Sequence, residues 1–368
     1  MQTAAQSTYS FNGSYTIAAF MAKVIMNDGA GGELMQEFIS KHITGHFPKM
    51  KAEISLDALD DSAVVDDVVF TIDGHTVNPL FFPGGDIGKI AVSGTVNDIS
   101  VMGAQPIGLA CSTVIEEGLD VDIVDKVFDS MGQTAADCGV PIVTGDTKVM
   151  GAGELDKMIV STAAIGRRTA DLDHDMEVAN SYRKVANRWC ADSNVAPGDR
   201  IIVSGYVGDH GVALLSSREG YGFESVVKSD VQPLNKMIAQ GLRVGGITAM
   251  KDPTRGGLAN TLNEWANKSK VELQIDQEQI PLRDGVINAC DLLGIDPLSI
   301  GNEGKTVIAV VPAMADAVLK ALKATPEGKD AAIIGVAAAG RNRVILNTEV
   351  GGRRILEPPS GDPVPRIC

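Results

Sequence analysis

Three short acidic segments of the chain could bind a divalent cation. Each places a carboxylate beside an apolar stretch, where a strand or a helix would end. The segments are Asp60-Asp61-Ser62-Ala63, Thr71-Ile72-Asp73-Gly74 and Val96-Asn97-Asp98. Carboxylates that converge from separate elements suit Mg2+, which takes oxygen ligands and bridges phosphate oxygens. Because Asp is also a common turn residue, each segment alone is better explained as a turn, and only the set predicts a metal site.

Two glycine-containing segments of the first half could contact phosphate groups. Residues 82–88 read Phe-Pro-Gly-Gly-Asp-Ile-Gly, and residues 143–148 read Val-Thr-Gly-Asp-Thr-Lys. We predict a short buried strand over residues 141–144 and then a loop over residues 145–148, whose N–H groups, hydroxyl and ammonium would face a phosphate. The spacing of a Walker P-loop is missing.

A second group of motifs lies in the other half of the chain, at residues 208–211 (Gly-Asp-His-Gly), 252–257 (Asp-Pro-Thr-Arg-Gly-Gly) and 301–305 (Gly-Asn-Glu-Gly-Lys). Glu303 stands between glycines immediately before a predicted strand, which is a suitable place for a general base. A solvated turn carboxylate is the alternative for Glu303.

The chain ends on Cys368, and four of its last eleven residues are proline. Proline disfavours helix and central strand, so we expect an extended, semi-rigid arm that reaches about 30 Å from the surface at ~3.1 Å per residue. A thiol at the tip of such an arm could be carried from one active site to another. The alternative is a frayed terminus with an incidental thiol.

Composition limits the possible partners and compartment. A length of 368 residues predicts two domains. The net charge of -15 argues against nucleic acid or an anionic membrane as the main partner, and no apolar run is long enough to cross a bilayer. The five cysteines form no C-x-x-C pair, which indicates reduced thiols in the cytoplasm.

The pattern of apolar residues divides the chain into five parts. We expect a disordered leader over 1–22, an N-terminal domain over 23–166, a charged linker or insertion over 167–198, a C-terminal α+β domain over 199–350, and a flexible tail over 351–368. Within the first domain, the pattern predicts strands over 64–72 (with a turn at Asp73-Gly74), 109–115 and 157–165, and helices over 87–102 and 121–137. After residue 199 the pattern predicts strands over 200–204 and 305–311 and helices over 257–268 and 313–322.

Six segments, taken together and in order, resemble the hydrogenase maturation factor HypE family, which belongs with the aminoimidazole ribonucleotide synthetase and selenophosphate synthetase enzymes. The segments are residues 78–89, 94–98, 142–149, 252–257, 302–305 and 365–368. Any single glycine motif is weak, but the ordered set with the final cysteine is specific. The resemblance runs from about Lys23 to Cys368.

The resemblance implies a two-domain, aminoimidazole ribonucleotide synthetase-like (PurM-like) α+β fold with an extended C-terminal tail. It also implies a homodimer that pairs through the first domain, with ATP in the cleft. The family receives a carbamoyl group on its terminal cysteine from the carbamoyltransferase HypF. It then uses ATP to dehydrate this thiocarboxamide to a thiocyanate, and the cyanide passes to iron on the HypC–HypD complex.

The resemblance also implies roles for individual residues. Cys368 would carry the group, Glu303 would act as the base, and Lys148 would assist proton transfer or neutralise charge. The implied metal ligands are Asp61, Asp73 and Asp98. The implied ATP-binding set is Gly31, Gly32, Asp61, Asp73, Asn97, Asp98, Asp146, Thr147 and Lys148, with Gly29–Gly32 as a lid over the triphosphate.

Some features depart from the family pattern, and two other functions stay open. The charged segment 167–198 is longer than expected, residues 1–22 are extra, and His75 stands where some relatives have an aromatic residue, so its role is open. The alternative functions are another ATP-dependent enzyme of the same superfamily and a non-catalytic ATP-binding assembly scaffold.

Overall fold

The computed structural model describes residues 23–29, 31–49, 51–218, 226–359, 361 and 363–368. The predicted leader over 1–22 lies outside the described residues, as does Ala30 of the glycine loop. No helix in the described ranges is both long enough and apolar enough to span a membrane.

The chain alternates strands and helices, which confirms the predicted α+β class. The strands are β1 Ala63–Val65, β2 Val68–His75, β3 Phe81–Phe82, β4 Gly85–Asp86, β5 Gln105–Glu116, β6 Ile142–Met150, β7 Met158–Arg167, β8 Arg200–Val203, β9 Ile247–Lys251, β10 Glu272–Asp276, β11 Val307–Val310, β12 Ala332–Ala338, β13 Arg343–Asn347 and β14 Arg353–Ile355. The α-helices are α1 Gly32–His42, α2 Ile87–Val101, α3 Val121–Cys138, α4 Ala170–Tyr182, α5 Asp209–Ser217, α6 Asn235–Val244, α7 Gly257–Ser269, α8 Asp284–Leu293 and α9 Ala315–Lys323.

The first domain contains a five-stranded sheet in the order β1-β2-β7-β5-β6. Its strands pair antiparallel except for β5 and β6, which are parallel. Helices α2 and α3 pack together, and α2 lies on β2 and β7. Helix α2 is apolar or small on nearly every side and is almost wholly buried, as expected for a core helix. It begins at Asp86, whose carboxylate accepts a hydrogen bond from the Lys89 N–H at 3.0 Å.

The hairpin that begins this sheet differs from the prediction. The expected turn at Asp73-Gly74 is wrong, because β2 continues through both residues to His75. The turn instead falls at Asp66-Asp67, where both residues have positive φ (50° and 64°), as a two-residue hairpin turn requires. Asp73 therefore lies within a strand. The alternation of side chains along the strand determines which face of the sheet carries its carboxyl group.

Strand β6 also differs from the prediction. We expected a short buried strand and then a loop over residues 145–148, but residues 142–150 form one strand at the edge of the sheet. All nine residues of this strand are exposed. Glycine is common in loops, and Gly145 is the reason that the sequence predicted a loop inside this strand. The Gly145 Cβ position would lie 2.3 Å from the Cys111 carbonyl oxygen, so the glycine allows a close strand pairing there.

The second domain contains a seven-stranded sheet in the order β14-β13-β10-β12-β8-β11-β9. Its pairs are antiparallel apart from β10 and β13. The predicted helices over 257–268 and 313–322 are confirmed as α7 and α9. One buried apolar cluster continues from the first domain into the second, so the two domains meet through packed side chains.

The segment 167–198, which we expected as a charged linker or insertion, is packed rather than loose. It forms α4, whose Leu172 and Ala179 are fully buried. Trp189 is also fully buried, with the guanidinium groups of Arg168 and Arg188 over its ring at 5.0 and 5.6 Å. The charges of the segment therefore surround a buried aromatic ring, an arrangement that composition alone does not reveal.

The C-terminal tail does not project as the predicted arm. Val364 and Ile367 are 0% and 3% exposed and belong to the shared apolar cluster. Arg366 donates from Nε to the Thr76 carbonyl oxygen at 2.8 Å, and its guanidinium pairs with Asp156 at 2.5 Å. Burial of two apolar side chains and main-chain hydrogen bonds hold the tail on the protein in this conformation.

Candidate active site

The tail places Cys368 in a cavity of about 690 Å³ where the two domains meet. The walls of the cavity come from the segment before α1, the end of β2 and the loop before α7. Thr76 donates hydrogen bonds from its N–H and its hydroxyl to an oxygen of the Cys368 terminal carboxylate, at 2.9 and 3.2 Å. The Nε2–H of His210 donates to the Ile367 carbonyl oxygen at 2.8 Å. Both domains therefore contribute to the position of Cys368.

The Cys368 thiol is half-buried and lies near the guanidinium of Arg255. Burial raises the pKa of this thiol to about 12; Arg255 opposes the rise, whereas Glu303 and Asp73 add to it. A thiol with this pKa stays protonated near neutral pH, and it is the thiolate that acts as a nucleophile. In the cleft Cys368 is therefore suited to carry a group and not to attack one.

Glu303 is buried, with 4% exposure, next to the thiol. Its N–H donates to Asp230 Oδ1 at 3.1 Å, which fixes the backbone at this residue. Burial raises the pKa of the Glu303 carboxyl well above its usual value; Asp252, Asp230 and Asp73 add to the rise, and Arg255 opposes it. A carboxylate with a raised pKa is a stronger base, which is the property that proton abstraction requires.

Three polar side chains converge on Gly94 of α2. A Cβ atom at this position would lie 3.4 Å from Asp73 Oδ2, 3.5 Å from His75 Cε1 and 3.9 Å from Glu303 Oε2. These ordinary contact distances show that the three side chains gather around one point of the helix surface. Two of them come from the covered face of β2, because Asp73 and His75 are two residues apart on one strand.

His75 is buried with one ring nitrogen paired and one unpaired. Its Nε2 lies 3.2 Å from the Thr162 hydroxyl, which in turn donates to the Ala91 carbonyl oxygen at 2.8 Å. Nδ1 has no hydrogen-bond partner among the described residues. Burial lowers the pKa of His75, although Asp73 opposes this effect, so the ring is neutral.

Asp61, one of the three predicted metal ligands, is held by a lysine. Its Oδ1 accepts a short hydrogen bond from Lys251, whose ammonium also lies 3.4 Å from Asp192 and 3.3 Å from Glu264. Burial raises the pKa of Asp61 to about 6, against the influence of Lys251. This carboxylate already has a cation as its partner.

Asp98 and Asp73, the other two predicted metal ligands, lie close to a third carboxyl group, that of Asp252. Asp98 Oδ2 accepts a hydrogen bond from the Thr71 hydroxyl at 2.8 Å. Burial raises the pKa of Asp98 well above its usual value, and the carboxyls of Asp73 and Asp252 add to the rise. Burial has the same effect on the pKa of Asp252, where Asp61 and Asp73 add to it. The cluster thus brings carboxyl groups together that raise one another's pKa, and Lys251 partly opposes this effect at Asp252.

Within the described ranges, no group of three or more His, Cys, Asp or Glu side chains is arranged to hold a metal ion by itself. The structure therefore brings Asp73 and Asp98 close to Asp252. The three predicted ligands Asp61, Asp73 and Asp98 do not form a metal-binding arrangement by themselves.

The glycine loop before α1 contacts the site through its backbone. Gly31 has φ +81°, and a Cβ there would lie 3.1 Å from Arg255 Cβ. Gly32 has φ +72°, and a Cβ there would lie 2.3 Å from the Pro359 carbonyl oxygen. Both the positive φ and the close approach require glycine. In this conformation the loop packs on Arg255 and on the tail.

Asn97, predicted to bind ATP, is engaged in contacts between the domains. Its Oδ1 accepts from the Leu234 N–H at 2.8 Å, and its amide group donates to the Gln232 and Glu303 carbonyl oxygens at 3.1 and 3.4 Å. Asn97 therefore joins α2 to the second domain and helps to fix the backbone of Glu303.

The structure does not bring the β6 residues to the cleft of the same chain. The strand register places Gly145 in line with Asp73 across β7 and β5. Directly paired residues share a face, so Thr147 lies on the face of Asp73, and Asp146 and Lys148 lie on the opposite face. Three strand spacings separate β6 from β2, about 14 Å at ~4.8 Å each. Among the residues that the structure describes, Lys148 forms its ion pair with Asp146, at 2.6 Å.

Three contributors to the site received no role from the sequence. Arg255 and Asp252 belong to the motif over 252–257, so the motif signalled their importance but not their function. His210 lies in the motif over 208–211, which likewise indicated no role for the histidine.

Comparisons with known proteins agree with this architecture. Residues 59–168 match the family model for the N-terminal domain of AIR synthase related proteins, and residues 196–347 match the model for the C-terminal domain. The chain is 47% identical to a putative hydrogenase expression/formation protein of Methanocaldococcus jannaschii, over 94% of this chain and 100% of the relative. It is 42% identical to the carbamoyl dehydratase HypE of Rhizobium leguminosarum, over 94% of this chain and 95% of the relative.

Solved structures give the same result. A structure of a HypE–HypF complex matches with a TM-score of 0.78 and 38% identity, and covers 89% of this chain and 100% of that chain. A structure of HypE in complex with ATP matches with a TM-score of 0.75 and 39% identity, and covers 94% of this chain and 100% of that chain. The predicted aminoimidazole ribonucleotide synthetase-like fold and the predicted resemblance are confirmed. The chain belongs to the HypE family of carbamoyl dehydratases.

Proposed function

We propose that this chain is an ATP-dependent carbamoyl dehydratase that acts on an S-carbamoyl group carried by its own Cys368. The product is a thiocyanate, which supplies a cyanide ligand for nickel–iron hydrogenase maturation. The observation that carries the proposal is the position of Cys368, which lines an interdomain cavity together with Arg255. Glu303 and Asp73 lie close enough to the thiol to raise its pKa.

The chemistry requires activation of an amide oxygen, which is a poor leaving group. Transfer of the γ-phosphoryl group of ATP to this oxygen allows it to depart as phosphate, and removal of the nitrogen protons completes the nitrile. Glu303, with its raised pKa, accepts protons from the nitrogen. The burial of the site limits access of water to the activated group.

We propose that Mg2+ binds with ATP beside Asp73, Asp98 and Asp252. These carboxyls raise one another's pKa, so a divalent cation would relieve their mutual repulsion. Mg2+ commonly uses one or two carboxylates together with substrate phosphates, and a cage of three protein ligands is therefore not needed. Gly31 and Gly32 remain our proposed lid over the triphosphate.

We further propose that the protein functions as a homodimer through the open face of the first sheet. Several apolar side chains of this sheet are exposed, including Phe70 (44%), Ile72 (74%) and Ile165 (47%). An exposed apolar face next to a fully exposed edge strand is typical of an interface. Pairing of two such faces would place Lys148 and Asp146 at the boundary between protomers.

The proposed partners are the carbamoyltransferase HypF and the HypC–HypD complex. Cys368 must leave the cleft to receive the carbamoyl group from one partner and must present the cyanide to the other. The tail is held mainly by hydrogen bonds and by two apolar side chains, which permits reversible release. We propose a cytoplasmic location, which suits the free thiols of the five cysteines.

The test is to incubate the protein with HypF, carbamoyl phosphate, ATP and Mg2+, and to measure the mass of the peptide that ends in Cys368. We expect addition of a carbamoyl group and then ATP-dependent loss of one water. Cys111→Ala, which leaves the tail intact, is the matched cysteine control and should behave as the wild type. An unmodified Cys368 in a mixture whose HypF is active would refute the proposal and favour an assembly scaffold.

A further inference from the structure

Arg255 has no role in the mechanism so far, although it touches the residue that carries the substrate. It lines the same cavity as Cys368, and its guanidinium lies close enough to the thiol to lower the pKa of the thiol. Gly31 packs beside the base of this side chain, where a Cβ added to the glycine would lie 3.1 Å from Arg255 Cβ. The guanidinium also lies near Asp73 and Glu303, so it faces the reacting group from a fixed position.

The groups around the thiol differ in hydrogen-bonding character, and this difference orients a carbamoyl group. A guanidinium only donates hydrogen bonds, so it can pair with the carbamoyl oxygen but not with the NH2 group. A carboxylate only accepts, so Glu303 can pair with the NH2 group but not with the oxygen. A carbamoyl group on Cys368 therefore fits with its oxygen toward Arg255 and its nitrogen toward Glu303.

We propose that Arg255 is a catalytic residue that binds the carbamoyl oxygen and stabilises the charge that develops on it when the C–O bond breaks. This inference rests on the proposed function and assigns the group that assists departure of the phosphate. Arginine suits the role because its guanidinium stays charged at every relevant pH and forms paired hydrogen bonds with phosphate oxygens.

The bond changes proceed in two steps. First, the carbamoyl oxygen attacks the γ-phosphorus, the bond from phosphorus to ADP breaks, and one nitrogen proton passes to Glu303. Second, the C–O bond breaks and its electron pair leaves with the phosphate. The electron pair of the remaining N–H bond forms the third C–N bond, and its proton passes to the phosphate. The sum converts the thiocarboxamide and ATP into thiocyanate, ADP, hydrogen phosphate and one proton.

Arg255 is distinct from the residues that hold the tail. Thr76, His210 and Arg218 contact main-chain oxygens of residues 366–368, and Arg366 contacts the Thr76 carbonyl oxygen. These hydrogen bonds position the backbone, whereas Arg255 contacts the side chain on which the reaction occurs. Loss of a docking contact and loss of Arg255 should therefore stop the reaction at different stages.

The experiment compares Arg255→Gln and Arg255→Lys with Arg366→Gln, a docking variant. Each protein is carbamoylated with HypF and carbamoyl phosphate, separated from HypF, and mixed with ATP and Mg2+. Rapid quenching then gives ADP release and the mass of the peptide ending in Cys368. We expect Arg255→Gln to be carbamoylated normally and to form thiocyanate about 10²-fold more slowly, the usual cost of one charge-stabilising donor.

The species that accumulates decides between the two roles. Arg255→Gln should release about one ADP per Cys368 and accumulate the phosphorylated group, and Arg255→Lys should restore part of the thiocyanate yield. Arg366→Gln should accumulate the carbamoyl form without an ADP burst. The inference is overturned if both Arg255 variants accumulate only the carbamoyl form, or if they form thiocyanate within about threefold of the wild-type rate, well short of the expected loss. Absence of dehydration in the wild type would instead refute the proposed function.

Discussion

The predicted catalytic residues lie in two regions of the molecule, the cleft around Cys368 and the edge strand β6. The two regions differ in the exposure of their side chains and in how these side chains are paired. In the cleft, Glu303 and Asp252 are 4% and 7% exposed, and the hydrogen bonds that fix them come from the same chain. On β6, the side chains of Lys148 and Asp146 are 67% and 61% exposed, and they pair with each other. Residues of one chain form the cleft, whereas the exposed side chains of β6 could form a site only together with a second protein surface.

The same contrast appears in the electrostatics of the carboxyl groups. Burial raises the pKa of Asp98 well above its usual value, and neighbouring carboxyls add to the effect. Hydrogen bonding to Lys148 lowers the pKa of Asp146 in the open solvent. Carboxylates of the cleft therefore favour a proton or a metal ion, and the carboxylate of β6 is already neutralised by a lysine.

The largest expected effect is the loss of all product in Cys368→Ser. The serine hydroxyl cannot form a thiocyanate, so no nitrile should appear in the mass of the C-terminal peptide, and ATP binding measured by calorimetry should persist because the cleft is otherwise intact. Thiocyanate on another cysteine of this variant would contradict the assignment of the carrier.

The next effect is a loss of about 10²–10⁴-fold in dehydration rate in Glu303→Gln, the usual contribution of a general base. The wild-type rate should rise with pH, because the base must be ionised and its raised pKa moves this rise above the ordinary range for glutamate. A pH series of single-turnover rates should show the rise in the wild type and its absence in Glu303→Gln. An unchanged pH profile in the variant would assign the base elsewhere.

A mixture of Lys148→Ala with Glu303→Gln tests whether β6 serves the cleft of a second protomer. Each variant alone should be nearly inactive. If Lys148 acts across the dimer, one site of each mixed dimer is complete, and random mixing should restore about a quarter of wild-type activity. Activity that stays at the level of the separate variants would place Lys148 in the cleft of its own chain. This result would contradict the inference that β6 acts at the cleft of a second protomer.

Ile72→Asp should weaken the dimer about 10²-fold or more, because the substitution places a charge in an apolar interface. Sedimentation equilibrium measures this change. Val350→Asp is the control, since Val350 is 93% exposed and lies outside the first sheet. An unchanged dimer in Ile72→Asp would show that the open face is not the contact.

The smallest effect is on stability and compares Asp60→Asn with Asp146→Asn. Burial, with Asp192, raises the pKa of Asp60 to about 7, so its ionisation destabilises the fold increasingly from about pH 4 to about pH 7. Asp60→Asn should therefore gain a few degrees in melting temperature relative to wild type between pH 4 and pH 8, measured by calorimetry. The melting temperature of Asp146→Asn should differ little from that of the wild type over this pH range. An equal gain in melting temperature in Asp146→Asn would show that burial of the carboxyl group is not the cause.

Local patterns predicted much of the fold. The small, apolar residues over 87–102 predicted a buried helix, and α2 spans residues 87–101. The amphipathic pattern over 121–137 predicted α3, which ends before Gly139 in the left-handed conformation (φ 75°). Predictions failed where local signals are ambiguous: Gly145 suggested a loop inside β6, and Asp73-Gly74 suggested a turn inside β2.

The sequence by itself determined the inventory of the site, because side-chain chemistry is a property of the residue. It identified the carrier thiol, the candidate base, the carboxylates and the glycines, and their order along the chain indicated the family. The tertiary structure decided which of them meet. Strand alternation places Asp73 and Lys148 on opposite faces of the sheet. Burial of the apolar side chains of Val364 and Ile367 holds the predicted arm in the cleft. The packing of the two domains places Arg255 beside Cys368. Distances between residues far apart in sequence depend on strand pairing and burial, which no local motif contains.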